Sequence, residues 1–374
     1  MSESKQTDYR VGNDSFWSKA WVGPLVLAIA GGLLAVLTAG PDRLGYAYLF
    51  GLFTTVTFML GGLFLVLIQF MTASHWGVSS RRIVEVIMSG APVVALLALP
   101  FIGGVVFGKI DIYNEWQSAA AHGEHGDHAD SDSDSESDDD SDSHDPEEHG
   151  LIQLGASVAQ AQDHGDEHGD HGDAAEHDEG HAHTPQETAL HHDIVAQKTG
   201  YLNTNGWAAR ALGYLILWSL LALAYFGWSR RQDESKDPKL TLRMQSLAPI
   251  SLILFGLSLT FAAFDWLMSL EAAWISTIFG VIIFAGSAVT ILATTILIGL
   301  SFYKRGLTGD AITPVHFHDL SKLMFGFVCF WTYVSFSQWM LIWYAGIPEE
   351  ATWYHRRWAD GWQFVAYLLI FGHF

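Results

Sequence analysis

In this 374-residue chain, chemistry would centre on Asp265. It stands in FAAFDWLMSLEAAW, about five residues from the end of a long apolar run. At that depth, roughly one and a half helical turns in, an ionised carboxylate is costly. Two readings are open: a group that handles protons, or a carboxylate paired with a neighbouring helix for packing. Glu271 follows at the boundary of the same run, near enough for a short carboxylate relay. Glu85 lies at the opposite end of another run, as a solvated residue or a further relay. HFHDLSK puts His316, His318, Asp319 and Lys322 at the start of a later run. There Asp319 and Lys322 share a helical face at i, i+3, the spacing of an ion pair or cap. Tyr333, Ser335, Ser337 and Gln338 continue as a polar stripe suited to a proton wire or to hydrogen bonds with a neighbour. His373 would lie about 18 Å along a final apolar run, near mid-depth.

The elements that must position these residues are apolar runs long enough to cross ~30 Å of hydrocarbon as helices. They fall at about 21–40, 46–71, 84–108, 207–228, 246–270, 272–302 and 319–345, with an eighth beginning near Gly361. The expected fold is an all-α polytopic membrane protein, with seven complete spans and a truncated eighth whose apolar run still continues at Phe374. Pro24, Pro92, Pro100 and Pro249 fall within or beside spans, and Gly61, Gly62, Gly103 and Gly104 permit close helix contact. The organisation is a tail at 1–20, helices at 21–108, a polar insertion at 109–206 and helices at 207–374. Twelve Lys and Arg, among them Arg81, Arg82, Arg230, Arg231 and Arg243, fall on the side of the N-terminal tail. The other side holds Arg43, Lys109, Lys198, Arg210, Arg356 and Arg357. The positive-inside rule therefore puts the N-terminus in the cytoplasm and the insertion outside.

Half of the residues are hydrophobic, and 15 Trp and 23 Phe fit a chain solvated by lipid. The net charge of −21 is misleading, because 25 of the 40 acidic residues lie at 111–193 and the remainder is slightly basic. Thirteen of the 18 histidines stand at 122–192, in runs such as HGEHGDH. Imidazoles beside carboxylates suit zinc, copper or nickel, but the same composition also describes a solvated insertion that builds no core. The apolar island at 151–162 is compatible with a local helix. The single cysteine, Cys329, excludes a disulfide, an iron–sulfur cluster and a covalently attached c-type haem from this chain alone. A b-type haem needs two buried axial ligands from facing helices, and His373 is the only histidine placed for that.

Four stretches carry a resemblance: GYAYLFGLF at 45–53, HWGVSSRRIVE at 75–85, FDWLMSLEAAWISTIFG at 264–280, and HDLSKLMFGFVCFWTYVSFSQWMLIWYAGIPEEATWYHRR at 318–357. They resemble the F subunit of bacterial alternative complex III, a quinol:cytochrome c oxidoreductase of the inner membrane. That subunit is labelled quinone-binding subunit 2 and is similar to the NrfD-like membrane subunits of polysulfide reductase. The resemblance implies ten helices in two four-helix bundles with a flanking pair. It also implies as partners a second, homologous quinone-binding membrane subunit, multihaem and monohaem cytochrome c subunits, an iron–sulfur subunit, small membrane subunits and often a terminal oxidase, all embedded in lipid. Haem c and iron–sulfur clusters would then belong to those partners, and menaquinone or another quinone would be the diffusible carrier. The resemblance marks Asp265, Glu271, His318, Asp319 and Lys322, and the acidic insertion departs from it.

Three functional readings follow. The first is a proton-conducting scaffold without a redox centre, using Asp265, Glu271, His318, Asp319, Lys322, Tyr333, Gln338, His373 and Glu85. The second is a quinone site built from Asp265, Trp266, Glu271 and Trp274 beside Phe264. The third, a divalent metal transporter, needs several ligands at mid-depth, where Asp265 and His373 alone approach. Nothing in the composition points to nucleic acid.

Overall fold

The computed structural model describes residues 40–74, 78–119, 193–308, 312–358 and 361–373, with Val26, Ala30 and Gly31. The chain divides into a unit of Met1–Gly123 with Leu190–Phe374 and a unit of Glu124–Ala189, and every described residue belongs to the first. The expected span at 21–40 and most of the acidic insertion thus lie outside the described residues.

Among the described residues the long elements are α1 Pro41–Met71, α2 Val78–Met88, α3 Ala91–Val106, α4 Thr204–Ser235 and α5 Pro238–Trp266. A 3-10 turn at Met268–Leu270 precedes α6 Phe279–Lys304, α7 Pro314–Ala345, α8 Pro348–Trp358 and α9 Trp362–Gly372. Among the described residues, six spans are long and apolar enough to cross a bilayer: α1, α2 joined to α3 across the break at Gly90, α4, α5, α6 and α7. The protein is therefore an all-α polytopic membrane protein. Helix α9 is apolar but shorter.

The ends are set by local chemistry. Asn203 caps α4 by accepting the Gly206 N–H at 2.7 Å, and Asp237 caps α5 by accepting that of Lys239 at 2.9 Å, with Pro238 pre-set at the first position. At α7 the cap is Thr313 with His316, whose ring accepts the Thr313 N–H at 3.2 Å. No ion pair joins Asp319 to Lys322 among the described residues, so the sequence expectation of a pair or cap there is not met. The expected span at 272–302 is also corrected. Helix α6 begins at Phe279, and residues 271–278 form a non-helical connection at the membrane boundary.

Helix α1 is the centre of the bundle and packs against α2, α3, α4, α5 and α6, while α7 lies on the rim and leans mainly on α6. Leu63, Val66 and Leu67 on α1 are fully buried. Away from this core the helices expose Leu220, Ile253, Leu297 and Phe325, the inverse of a water-soluble surface. Gly61 explains how α1 approaches α6, because a Cβ there would collide with the Ser287 carbonyl and would stand 2.9 Å from Ile291. Gly103 and Gly104 do something different from the helix contact expected. A Cβ at Gly104 would meet Ile110 at 2.5 Å, and one at Gly103 would meet only Phe107, so these glycines admit the chain's own next turn.

Gly61→Ala should therefore lower the thermal midpoint of the purified protein in detergent by an amount equivalent to about 1–3 kcal/mol, as overpacking does. Gly213→Ala, with open space around it, serves as the neutral control.

Candidate functional site

Helix α4 carries the organising pattern. Its buried residues, Trp207, Ala211, Leu215, Trp218, Ala222, Tyr225 and Ser229, recur at intervals of three or four and mark one face along its length. Arg210 and Tyr214 flank that face near its start. Opposite them, in the last turn of α5, Asp265 is fully buried. The Arg210 guanidinium donates through Nε to Oδ2 at 2.9 Å and through Nη2 to Oδ1 at 3.0 Å, a bidentate pair. The Tyr214 hydroxyl donates to Oδ2 at 2.8 Å. The Tyr201 ring covers the guanidinium at 3.9 Å, so the positive charge is held between an anion and an aromatic face.

The backbone at this point is equally occupied. With the helix ending, the Asp265 carbonyl accepts from Trp207 Nε1 at 2.7 Å and from Ser269 Oγ at 2.5 Å, and the Trp266 carbonyl accepts from the Tyr113 hydroxyl at 2.8 Å. Every group freed by the end of α5 at these two carbonyls thus meets a side-chain donor. Tyr113 itself is fully buried, which pushes its hydroxyl well above the usual phenol range, with the nearby Asp265 charge acting in the same direction. Glu271 is not among the partners of Asp265, although it has a partner of its own. Among the described residues, no direct hydrogen bond joins Glu271 to Asp265. Trp266 and Trp274 are both buried, and each indole N–H lacks a partner among the described residues. Trp274 stacks on Trp353 with centroids 4.8 Å apart.

At the other end of α4, Ser229 donates to Glu85 Oε1 at 2.7 Å. Glu85 is 1% exposed, which replaces the solvated reading with a buried carboxylate held by Arg81 at 3.1 Å and Arg82 at 2.9 Å. Arg82 reaches on to Asp233 of α4. Between the two carboxylates the same face of α4 makes polar contacts with α5. Trp218 donates to Ser258 at 2.8 Å, and the Tyr225 hydroxyl donates to Ser251 at 3.2 Å.

The remaining sequence candidates are scattered. His318, Asp319 and Lys322 lie at the start of α7, on the same side of the bundle as α2, since Phe317 and Ile83 both approach Gly299. Tyr333 is 68% exposed and points away from the bundle, whereas Gln338 is buried and bonds Ser276 at 3.0 Å and Tyr354 at 3.4 Å. Ser337 hydrogen-bonds the Tyr333 carbonyl, and the buried Ser335 hydroxyl lacks a partner among the described residues. The expected single stripe is thus divided between two faces, because residues two and five apart do not share one. The His373 ring lies 4.2 Å from that of Trp331, with Nε2 buried and without a partner among the described residues. No group of three or more His, Cys, Asp or Glu side chains able to hold a metal occurs among the described residues. Metal capture by the histidine-rich insertion falls outside them.

Arg210, Tyr214 and Tyr201 were missed as site residues. The available signal was depth. Arg210 stands about as far into its apolar run as Asp265 does from the end of its own, and opposite charges at one depth are partners by default. No family model matches the chain, and no curated protein matches it.

Two outcomes follow from this geometry. Asp265→Ala leaves a partly buried guanidinium without its anion and should cost about 3 kcal/mol of stability, while the apolar double replacement Asp265→Leu with Arg210→Met should cost less than the sum of the single changes; denaturant titration in micelles measures both. Burial, then the Asp265 charge, pushes the Tyr201 hydroxyl up to about 12 against the opposing pull of Arg210. Because the folded value lies above the ordinary one of 10.0, this contribution to stability is complete below the ordinary value and is lost as pH rises from there towards about 12. In Tyr201→Phe, phenolate absorbance should lose one of the late-ionising tyrosines, the one titrating near 12.

Proposed function

We propose that this chain is a proton-conducting and scaffolding membrane subunit of a respiratory quinol:electron-acceptor oxidoreductase of the alternative complex III kind. In this reading it resides in a bacterial inner membrane, with the N-terminus cytoplasmic and the acidic insertion periplasmic. The supporting observation is the polar face of α4. Arg210 and Ser229 are 19 positions apart on one helix, which at 1.5 Å per residue separates them by ~28 Å, close to the hydrocarbon thickness. A buried carboxylate stands at each end, Asp265 and Glu85, and hydroxyls of Tyr214, Ser258, Ser251, Tyr225 and Ser229 stand between them.

A proton arriving at Asp265 neutralises it and weakens its hold on Arg210; the proton then passes inward and the ion pair reforms. Ser258 and Ser251 are two turns apart on α5, about 10 Å, so water carries the steps between hydroxyls. Glu85, set among Arg81, Arg82 and Ser229, is the group exchanging with the cytoplasm. The chain holds no redox centre in this reading. Electrons pass through partner subunits that carry haem c and iron–sulfur clusters, with menaquinone or another quinone as donor.

The quinone alternative at Asp265, Trp266, Glu271 and Trp274 draws support from the two buried indole N–H groups without partners among the described residues. It is weakened by the carboxylate itself, which already accepts from Arg210 and Tyr214.

In the purified complex, Asp265→Asn and Glu85→Gln should each lower the number of protons released per quinol oxidised while c-type haem and iron–sulfur content stay unchanged. An unchanged proton yield in both assembled variants would count against conduction along α4. Absence of co-purifying c-type haem would count against the complex.

A further inference from the structure

Residues 267–278 link α5 to α6 outside the helical ladder, apart from the short 3-10 turn, so their backbone groups need partners from elsewhere. The partners come from the two ends of the insertion at 109–206, a helical stretch at 114–119 and the turn following 193–197. The Ala272 N–H donates to Glu115 Oε2 at 2.9 Å. Lys198 Nζ donates to the Ala272 carbonyl and, at 3.3 Å, to that of Ala273. One residue is therefore gripped on both sides by opposite charges. Under this clamp Ser269, Ala272 and Trp274 are buried, and Ser269 touches the Asp265 carbonyl. Burial lowers the Lys198 ammonium from its ordinary value, with Glu115 opposing that shift. Charged side chains brought to a non-helical segment and spent on its backbone form strong, charge-assisted bonds.

We infer that Glu115 and Lys198 are positioning residues that hold 267–278 as a cover between the aqueous phase and Asp265, and so limit access to that carboxylate. The cover is a matter of accessibility alone; its consequence for proton transfer rests on the reading of Asp265 given above.

The test uses the full chain in its native membrane, with the exposed Cys329 replaced by Ser and a reporter cysteine at Ser269→Cys. A membrane-impermeant maleimide added from the Asp265 side reads the cover. Labelling should be slow with the clamp intact and about tenfold faster or more in Glu115→Ala or Lys198→Ala, each of which removes at least one charge-assisted hydrogen bond. Lys198→Arg, which keeps the donor, should restore protection, and Lys109→Ala, at an exposed position, should leave the rate unchanged. Matching thermal midpoints among the variants exclude general unfolding as the cause. Equal labelling in both clamp variants and the parent overturns the cover, whatever the proton yield. Faster labelling with an unchanged pH profile of proton release upholds the cover and overturns the route through Asp265.

Discussion

The bidentate pair of Arg210 with Asp265 is the constraint around which one end of the bundle is built. A carboxylate with no exposed surface, in a segment that crosses a membrane, has to be neutralised or matched. The match fixes the rotation of α4 against α5, since the guanidinium fork and the carboxylate must be coplanar to make both bonds. Once α4 is fixed in this way, its heptad-like face meets α5 along its length, and Trp218, Tyr225 and Ser229 fall where Ser258, Ser251 and Glu85 can receive them. The second buried carboxylate is thus set by the same rotation as the first. Buried ion pairs are poor sources of stability compared with apolar packing, whereas one member left without its partner in the interior is costly.

Around that pair the non-helical backbone is tolerated for a reason that applies to any membrane-depth irregularity. Carbonyls released where a helix stops cannot turn to water in hydrocarbon and must find protein donors. Tyr113, Trp207, Ser269 and Lys198 supply them, and Glu115 accepts the matching amide. Three of these five, Tyr113, Glu115 and Lys198, come from the two ends of the insertion at 109–206, which are thereby tied to the backbone next to Asp265. At the rim, α7 lacks such constraints: its polar residues are divided between a buried contact at Gln338 and an outward Tyr333.

Much of the architecture was legible in the sequence, because a bilayer demands length and apolarity and both can be read residue by residue. The existence and approximate place of the spans containing α1, α3, α4, α5 and α7 were legible for that reason, with ends off by up to about eight residues, and Asp265 stood out as an ionisable residue in apolar surroundings. The start of α6 was not, because Ala272, Ala273 and Trp274 are as apolar as a helix interior, and only the Glu115 and Lys198 bonds show that this backbone has left the ladder. Glu85 illustrates the other limit. Its sequence neighbours Arg81 and Arg82 suggest solvent, yet packing of α4 across α2 removes it from water.

What the sequence by itself determined is therefore the class of the protein and the depth of each ionisable residue. Those follow from one-dimensional quantities: hydropathy and the rise of a helix. Which charge meets which was decided only by the tertiary structure. Partnership across helices depends on their rotation and crossing, and hydropathy sums over a turn without recording direction. Arg210 was visible as a charge and Asp265 as a cost; that each is the other's answer emerges only when α4 and α5 are packed face to face.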